Sequence, residues 1–396
     1  MISNETDRLS DRYDRPLQKR HIVSHQVETL VNALNKKFGT KDHPAARRGS
    51  EMPPVTCHHS GSLSLDFALG KGGLPLNRIV EIVGAEGGGK TTLALLAAKE
   101  WIEAFPDRAV LYFDLEHKLT PEWATKLMGE EAMERLIIVE PESMEQATDI
   151  YREIVPSGEV SMAIIDSIGG APTSRVMDPD RSAEKANVAG NAYAVTQFAR
   201  FAANLSAKFN CTTIGINQMR DNMTPMSFAL NTPGGHGWKH ACVARIQLSR
   251  GKEKFYDTVN GEKIQVGYDI KARVFKNQLS TPFRTANWNF FNQESEQYGP
   301  VGIDTAEECL RLATLVGVVE KRGGWLYHEG FPDGKINGDK KFRELLESDR
   351  EFKEAIINEV QFALAHDESA VSQVAPVIEL DDEEALAQGL INAEDA

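Results

Sequence analysis

The chain has 396 residues, a formal net charge of −14, 41% hydrophobic residues and four cysteines. That length allows roughly two or three domains with ample core, and Cys57, Cys211, Cys242 and Cys309 lack C-x-x-C spacing, which reads as reduced thiols in a cytoplasmic protein. The polar first twenty residues lack the apolar core of a secretion signal and no run approaches the roughly 20 apolar residues that span a bilayer, so a soluble protein with no membrane partner is expected.

Residues 1–21 are polar and expected as a disordered arm. Val23, Val27, Leu30, Val31, Leu34 and Phe38 then recur at three- and four-residue steps, with Ser24 as N-cap and Gly39 closing an amphipathic helix. By itself this helix folds back on its own domain or docks on a neighbouring subunit. Cys57, His58 and His59 invite a metal reading, but adjacent ligands point different ways on a strand or loop, which argues against one. From 78 to 290, strands at 79–83, 109–113, 136–139, 162–165 and 213–216 alternate with helices at 90–104, 144–154 and 188–209. That alternation predicts an α/β fold with a mostly parallel sheet buried on both faces. Runs at 246–248, 268–275 and 283–290 extend the sheet in antiparallel fashion. Residues 304–365 form a small helical or mixed domain with a short strand at 325–328. The domain reading is thus an arm at 1–21, helix and linker at 22–60, core at 61–300, a small domain at 301–366 and an acidic disordered tail at 367–396.

The apolar run Ile79, Val80, Ile82, Val83 leads into Gly84 to Thr92, GAEGGGKTT. Gly84, Gly89, Lys90 and Thr91 fit G-x-x-x-x-G-K-[ST], a strand–loop–helix in which backbone N–H groups surround phosphate oxygens at a helix N-terminus. Lys90 is placed for the β and γ phosphates and Thr91 for Mg²⁺. Asp166 ends a hydrophobic strand as a second carboxylate for Mg²⁺. Glu116, ending the strand 110–113, is the candidate to orient and deprotonate water. Gln218 and Arg220 stand at another strand end, where an amide can sense a γ-phosphate.

Negative charge argues against nucleic acid, which needs positive surface. Nine of the acids lie after His366 with no Lys or Arg among them, leaving −5 on the remainder. A near-neutral body can hold a basic groove. The tail itself is a solvated run or a screen competing with DNA for that groove. Met223, Met226, Phe228 and Leu230, in a segment without regular signals, suit insertion between bases or packing on the core. Gly234 and Gly235 permit close phosphate approach or a plain turn.

The segments GSLSLDFALGKGGLPLNRIVEIVGAEGGGKTT, YFDLEHKLTPEWATKLMG, IIDS, INQMR, PGGHGWKHACVAR and VFKNQLSTPF occur in order and closely resemble the RecA family of bacterial and viral recombinases. The resemblance covers about 27–325. It implies an N-terminal oligomerisation helix, an ATPase core and a small C-terminal domain, assembled as a helical filament on single-stranded DNA that pairs with homologous duplex. ATP and Mg²⁺ are the implied cofactors, with single-strand-binding or loader proteins as further partners.

Residue by residue, the resemblance gives Glu116 the catalytic role, Asp166 the metal carboxylate and Gln218 the γ-phosphate sensor. Gly84, Glu86, Gly87, Gly88, Gly89, Lys90, Thr91 and Thr92 form the phosphate loop. Trp123 matches an aromatic stacked on adenine, while Thr120 replaces an aspartate that bonds the base. DNA loops fall near 177–190 and 219–235, with Val188, Thr196, Arg200, Arg220, Gly234 and Gly235 at DNA. In the family two lysines flanking an asparagine reach the neighbour's ATP. Here the triplet is Lys276, Asn277, Gln278, so one of the two charges is absent and altered DNA dependence is expected. Two other classes are a ring-forming helicase, which lacks the GSLSLD segment, and an ATP-switched DNA-coating scaffold, which has no need of Glu116.

Overall fold

The computed structural model describes residues 11–41, 43–170, 172–174, 188–219, 232–259, 261–295 and 297–366. The chain divides into Met1–Val55 and Thr56–Ala396. In the first unit α1 (Asp11–Phe38) starts earlier than the sequence suggested. Residues 11–21 are helical rather than part of an arm, and Ser24 lies inside the helix instead of capping it. The following chain folds back on α1, where the Asn35 side chain accepts from Ala46 N at 2.7 Å and donates to Ala46 O at 2.9 Å. Val27, Leu30, Leu34 and Phe38 are left exposed on it.

The second unit is built on alternation. In β4 (Ala109–Asp114) Val110 and Tyr112 enter one apolar cluster while Leu111 and Phe113 enter another; in β6 (Val160–Asp166) Met162 and Ile164 part in the same way from Ala163 and Ile165. Period-two side chains that are apolar on both faces need cover on both faces. One cover is α2 (Leu63–Leu69), α3 (Lys90–Ala104) and α4 (Pro121–Met128); the other is α6 (Met144–Ile154), α7 (Val188–Phe209) and α8 (Gly235–Ala241). The short α5 spans Glu130–Met133.

The remaining strands of this sheet are β3 (Ile79–Gly84), β5 (Leu136–Val139), β7 (Thr212–Gln218), β8 (Ala244–Val259), β9 (Glu262–Asn277), β10 (Thr285–Phe291) and β11 (Gly302–Ile303). A separate small ladder pairs β1 (Cys57–His58) with β2 (Leu74–Pro75). The order is β11-β10-β9-β8-β3-β7-β6-β4-β5, parallel from β5 to β8 and antiparallel from β8 to β11. This is the expected α/β architecture. Strands β3, β4, β6 and β7 all end at one edge, the position where open parallel sheets place ligands.

One expectation is corrected. The β8–β9 hairpin is far longer than the runs at 246–248 and 268–275, because Lys252, Glu253, Lys254 and Asp257 carry no apolar alternation although the strand runs on through them and Lys254 and Asp257 pair with β9. Its register shifts between Arg250 and Lys254, where Glu253 N donates to Asp269 Oδ1 at 2.8 Å. Packing runs on across residues 300/301. Leu63 and Phe67 of α2 join a core formed with α9 (Thr305–Leu315), α10 (Asp339–Ser348), α11 (Arg350–His366) and Leu326 and Ile336 of the sheet β12 (Glu320–Arg322), β13 (Trp325–Tyr327) and β14 (Lys335–Asn337). Glu308 seals that junction, accepting from Ser62 Oγ at 2.7 Å, Leu63 N at 3.0 Å and Ser64 N at 2.9 Å. Among the described residues no helix is long and apolar enough to cross a membrane.

Candidate nucleotide and nucleic-acid site

β3 runs directly into the glycine loop and the loop into α3, whose N-cap Gly89 has φ 89°. A Cβ at Gly84 would lie 2.5 Å from the Leu248 carbonyl oxygen, so only glycine fits beside β8. Lys90 Nζ donates to the carbonyl oxygens of Gly84 at 3.0 Å and Ala85 at 2.8 Å, folding the ammonium over the loop. Burial lowers its pKa, opposed by the charges of Asp166, Glu116 and Glu86. Glu86 and Gly87 are exposed at the loop's crest, Gly88 is buried, and Thr92 follows half-buried in the first turn of α3. Arg250, which the sequence reading missed, donates from Nε to Gly87 O at 2.8 Å and lies 4.2 Å over the Tyr268 ring. It braces the loop from the antiparallel hairpin.

Beside the loop, Thr91 Oγ1 donates to Asp166 Oδ2 at 2.7 Å, and Tyr112 OH donates to the same oxygen at 2.7 Å. Burial pushes the Asp166 carboxyl above the ordinary carboxylate range in spite of those two bonds. A threonine hydroxyl and a carboxylate are hard oxygen donors of the kind Mg²⁺ takes together with waters. The loop glycines, Lys90 and this oxygen pair therefore fit a Mg²⁺-bound nucleoside triphosphate.

Glu116 stands one strand-end away. Its Oε1 accepts from Ser167 Oγ and from Gln218 Nε2 at 2.9 Å, and its Oε2 accepts from Lys118 Nζ at 2.6 Å. Burial alone would raise its pKa, but the hydrogen bonds from Lys118, Ser167 and Gln218 outweigh it and hold the carboxyl below its ordinary value. The candidate base and the candidate sensor are thus in direct contact. They line one cavity with Leu115, Lys118, Gly169, Gly170 and Pro233. Asp114 does not face this cavity chemistry; its oxygens hold the N–H groups of Lys118 at 3.2 Å and Leu119 at 2.9 Å.

Below the cleft lies a buried polar hub. Glu81 in β3, fully buried, accepts from Asn217 Nδ2 at 2.8 Å and Trp238 Nε1 at 2.9 Å and pairs with Arg245. Asn217 Nδ2 also donates to Pro233 O at 2.9 Å, and Arg245 reaches Thr232 Oγ1 at 3.0 Å. Both described ends of the stretch 219–232 are therefore tied to the strand that carries the glycine loop. The sequence offered no signal for this beyond polar residues inside apolar strands.

Thr196 on α7 packs against α8, since a Cβ at Gly237 would lie 2.6 Å from its methyl carbon. Gly234 and Gly235 begin α8 with φ 97° and 72°, backbone that favours glycine. Arg200 is exposed one turn beyond Thr196. Tyr193, 68% exposed at three residues before Thr196, shares that face and was not singled out from the sequence. Arg220 and the side chain of Val188 lie outside the described residues. Trp123 is half-buried with its ring edge-on to Phe290 at 6.3 Å.

Lys276 is not near Lys90. β8 pairs Ala244 with Val80 and Leu248 with Gly84, while Arg245 faces Lys276 across β9, so Lys276 sits at the opposite end of the strands. That is about 10 Å along the strands from the level of Gly84. Its Nζ donates to Lys239 O at 2.8 Å, and Gln278 nearby is exposed. His58 and His59 are engaged elsewhere, His58 Nε2 with Glu100 O at 3.2 Å and His59 Nδ1 with Asp66 Oδ2 at 2.9 Å.

A family profile described as the RecA N-terminal domain matches residues 25–295. Protein RecA of Chloroherpeton thalassium is 33% identical over 337 residues, covering 85% of this chain and 87% of the relative. Protein RecA of Thermus thermophilus is 32% identical over 340 residues, covering 84% and 93%. That of Chlorobium limicola is 32% identical over 322 residues, covering 81% and 87%.

Proposed function

Since the chain belongs to the RecA family, we propose that it is a DNA-dependent ATPase and homologous recombinase that works as a filament on single-stranded DNA. The observation that carries the ATPase is the hydrogen-bonded contact of Glu116 with Gln218 beside Lys90, Thr91 and Asp166. Mg²⁺ supplies neutralisation of phosphate charge there. Lys90 leaves its loop carbonyls for the β and γ phosphates, and Thr91 and Asp166 hold the metal. Glu116, kept ionised, orients and deprotonates water in line with the γ-phosphate. Gln218 exchanges its bond to Glu116 for one to the γ-phosphate, and its strand neighbour Asn217 leads through Glu81 to Thr232 and Pro233. The nucleotide and the DNA-binding stretch are coupled along that route.

DNA contacts fall to Val188, Thr196, Arg200, Arg220, Gly234 and Gly235, with Tyr193 adding a stacking surface on the same face of α7. Trp123 faces the adenine. The exposed Val27, Leu30, Leu34 and Phe38 of α1 dock on a neighbouring protomer, and Lys276 with Gln278 approaches that neighbour's nucleotide. Loader or single-strand-binding proteins are further partners, and the site of action is the cytoplasm. The domain limits follow the same reading: core to about residue 300, a small domain to 366 and an acidic tail.

The test is ATP hydrolysis by the purified protein with and without single-stranded DNA, alongside Lys90→Ala and Glu116→Gln. Stimulation by DNA that is lost in both variants supports the reading. ATP binding and DNA coating without phosphate release would overturn it in favour of an ATP-switched scaffold.

A further inference from the structure

We propose that Lys118 is a second γ-phosphate-binding cation of this site, supplied by the same protomer as Lys90. The inference rests on the reading of the cleft as an ATP site and adds to it a residue with no assigned role.

Three observations place the ammonium. Lys118 Nζ lies 2.6 Å from Glu116 Oε2, with the lysine side chain 64% exposed and the glutamate 12%. It lines the cavity that Glu116 and Gln218 also line. Its charge is felt by Lys90, and it in turn feels Glu86 and Asp166, so the ammonium sits in the field of the loop and of the metal carboxylate.

The local backbone explains how a mobile side chain is held at a fixed point. The chain leaves β4 through His117, whose φ of 52° turns it sharply. Asp114, 4% exposed, then clamps the N–H groups of Lys118 and Leu119. The loop is braced while the four-carbon stem is free to swing. An exposed lysine–carboxylate pair is weak in water. A γ-phosphate, with more charge and several acceptor oxygens, competes for the same ammonium on better terms.

This arrangement links the cation to the base. Without a γ-phosphate, Lys118 and Gln218 both bond Glu116 and its carboxylate is masked. With one, both donors transfer to the phosphate and Glu116 keeps only Ser167, becoming more basic at the moment its water is in place. The bland alternative is an ion pair between residues two apart on a solvated loop, which would bind nothing.

Equilibrium binding separates the two, because ADP lacks the group in question. Full-length protein is titrated, with Mg²⁺, against a non-hydrolysable ATP analogue and against ADP, as wild type, Lys118→Met and Lys118→Arg. The expected result is about a tenfold loss of analogue affinity in Lys118→Met, corresponding to about 1.4 kcal/mol, with ADP changed less than about twofold. Lys118→Arg should recover most of the loss. Equal analogue affinity in wild type and Lys118→Met overturns the inference, and so does an equal weakening of both nucleotides, which would mark a role in loop structure. A wild type that binds neither nucleotide overturns the ATP-site reading itself.

Discussion

Thr91 and Asp166, 75 residues apart, meet through a 2.7 Å hydrogen bond from the threonine hydroxyl to Oδ2, the oxygen that also accepts from Tyr112. The helix after the glycine loop and the end of β6 are thereby brought to one candidate metal position. Asp166→Asn should lower Mg²⁺-dependent hydrolysis by about 10- to 100-fold, the usual cost of losing a carboxylate that holds a metal through water. Thr91→Ala should do the same, and Thr91→Ser should retain activity. Steady-state ATPase as a function of Mg²⁺ reads this directly. An Asp166→Asn protein with unchanged Mg²⁺ dependence would remove the carboxylate from the metal site.

Glu81 anchors the hub beneath the cleft, and removing it leaves Arg245, itself 8% exposed, charged and unpaired. Glu81→Ala should therefore cost about 3–5 kcal/mol of stability. Trp238→Phe, which deletes the indole N–H donor to Glu81 and leaves part of the fully buried ring's space unfilled, should cost about 2–3 kcal/mol. Urea unfolding of the three proteins decides it. A Glu81→Ala variant as stable as wild type would show that the pair is dispensable for the fold.

Much of this site was legible because its chemistry follows strand ends. Alternation located β3, β4, β6 and β7, and a loop or carboxylate just after each strand is brought to the same edge by a parallel sheet. Glu116, Asp166 and Gln218 were picked out in that way, and the structure brings them to one edge. The contacts that brace them were not legible, because they join distant segments: Arg250 to Gly87 across 163 residues and Glu308 to Ser62 across 246. Nor were the β8–β9 hairpin beyond its apolar stem and the start of α1, where polar sequence hides regular backbone. Lys118 carries no motif signal in the sequence, since only the turn held by Asp114 aims it at Glu116.

Glu308 gives a pH dependence of definite sign. Burial raises its carboxyl above the ordinary glutamate range, against the hydrogen bonds from Ser62 and Ser64. Between the unfolded value, about 4.3, and the raised folded one, the native chain holds a proton that the unfolded chain has released. Its contribution is therefore fully present below the unfolded value, and stability falls as pH rises through that window. Glu308→Gln cannot titrate, so its unfolding free energy should fall less between pH 4.5 and 7 than that of wild type. Urea midpoints at the two pH values measure the slopes. Identical slopes would mean that Glu308 titrates alike in both states.

Lys276 can act on a nucleotide only from outside its own protomer, because the register of β3, β8 and β9 puts it at the far end of the strands from Lys90. Lys276→Ala should keep ATP binding and lose most DNA-stimulated hydrolysis, while Lys90→Ala should lose its own site yet still present Lys276. Mixed in equal amounts on single-stranded DNA, the two inactive proteins form some interfaces in which an intact Lys90 site faces an intact Lys276. Hydrolysis should then rise above that of each variant alone, to roughly a quarter of wild type if neighbours assort at random and every mixed interface fires. A series of mixing ratios should peak at an intermediate composition. If activity stays at the sum of the separate variants at every ratio, Lys276 has no part in the neighbour's chemistry and its bond to Lys239 O is a structural one.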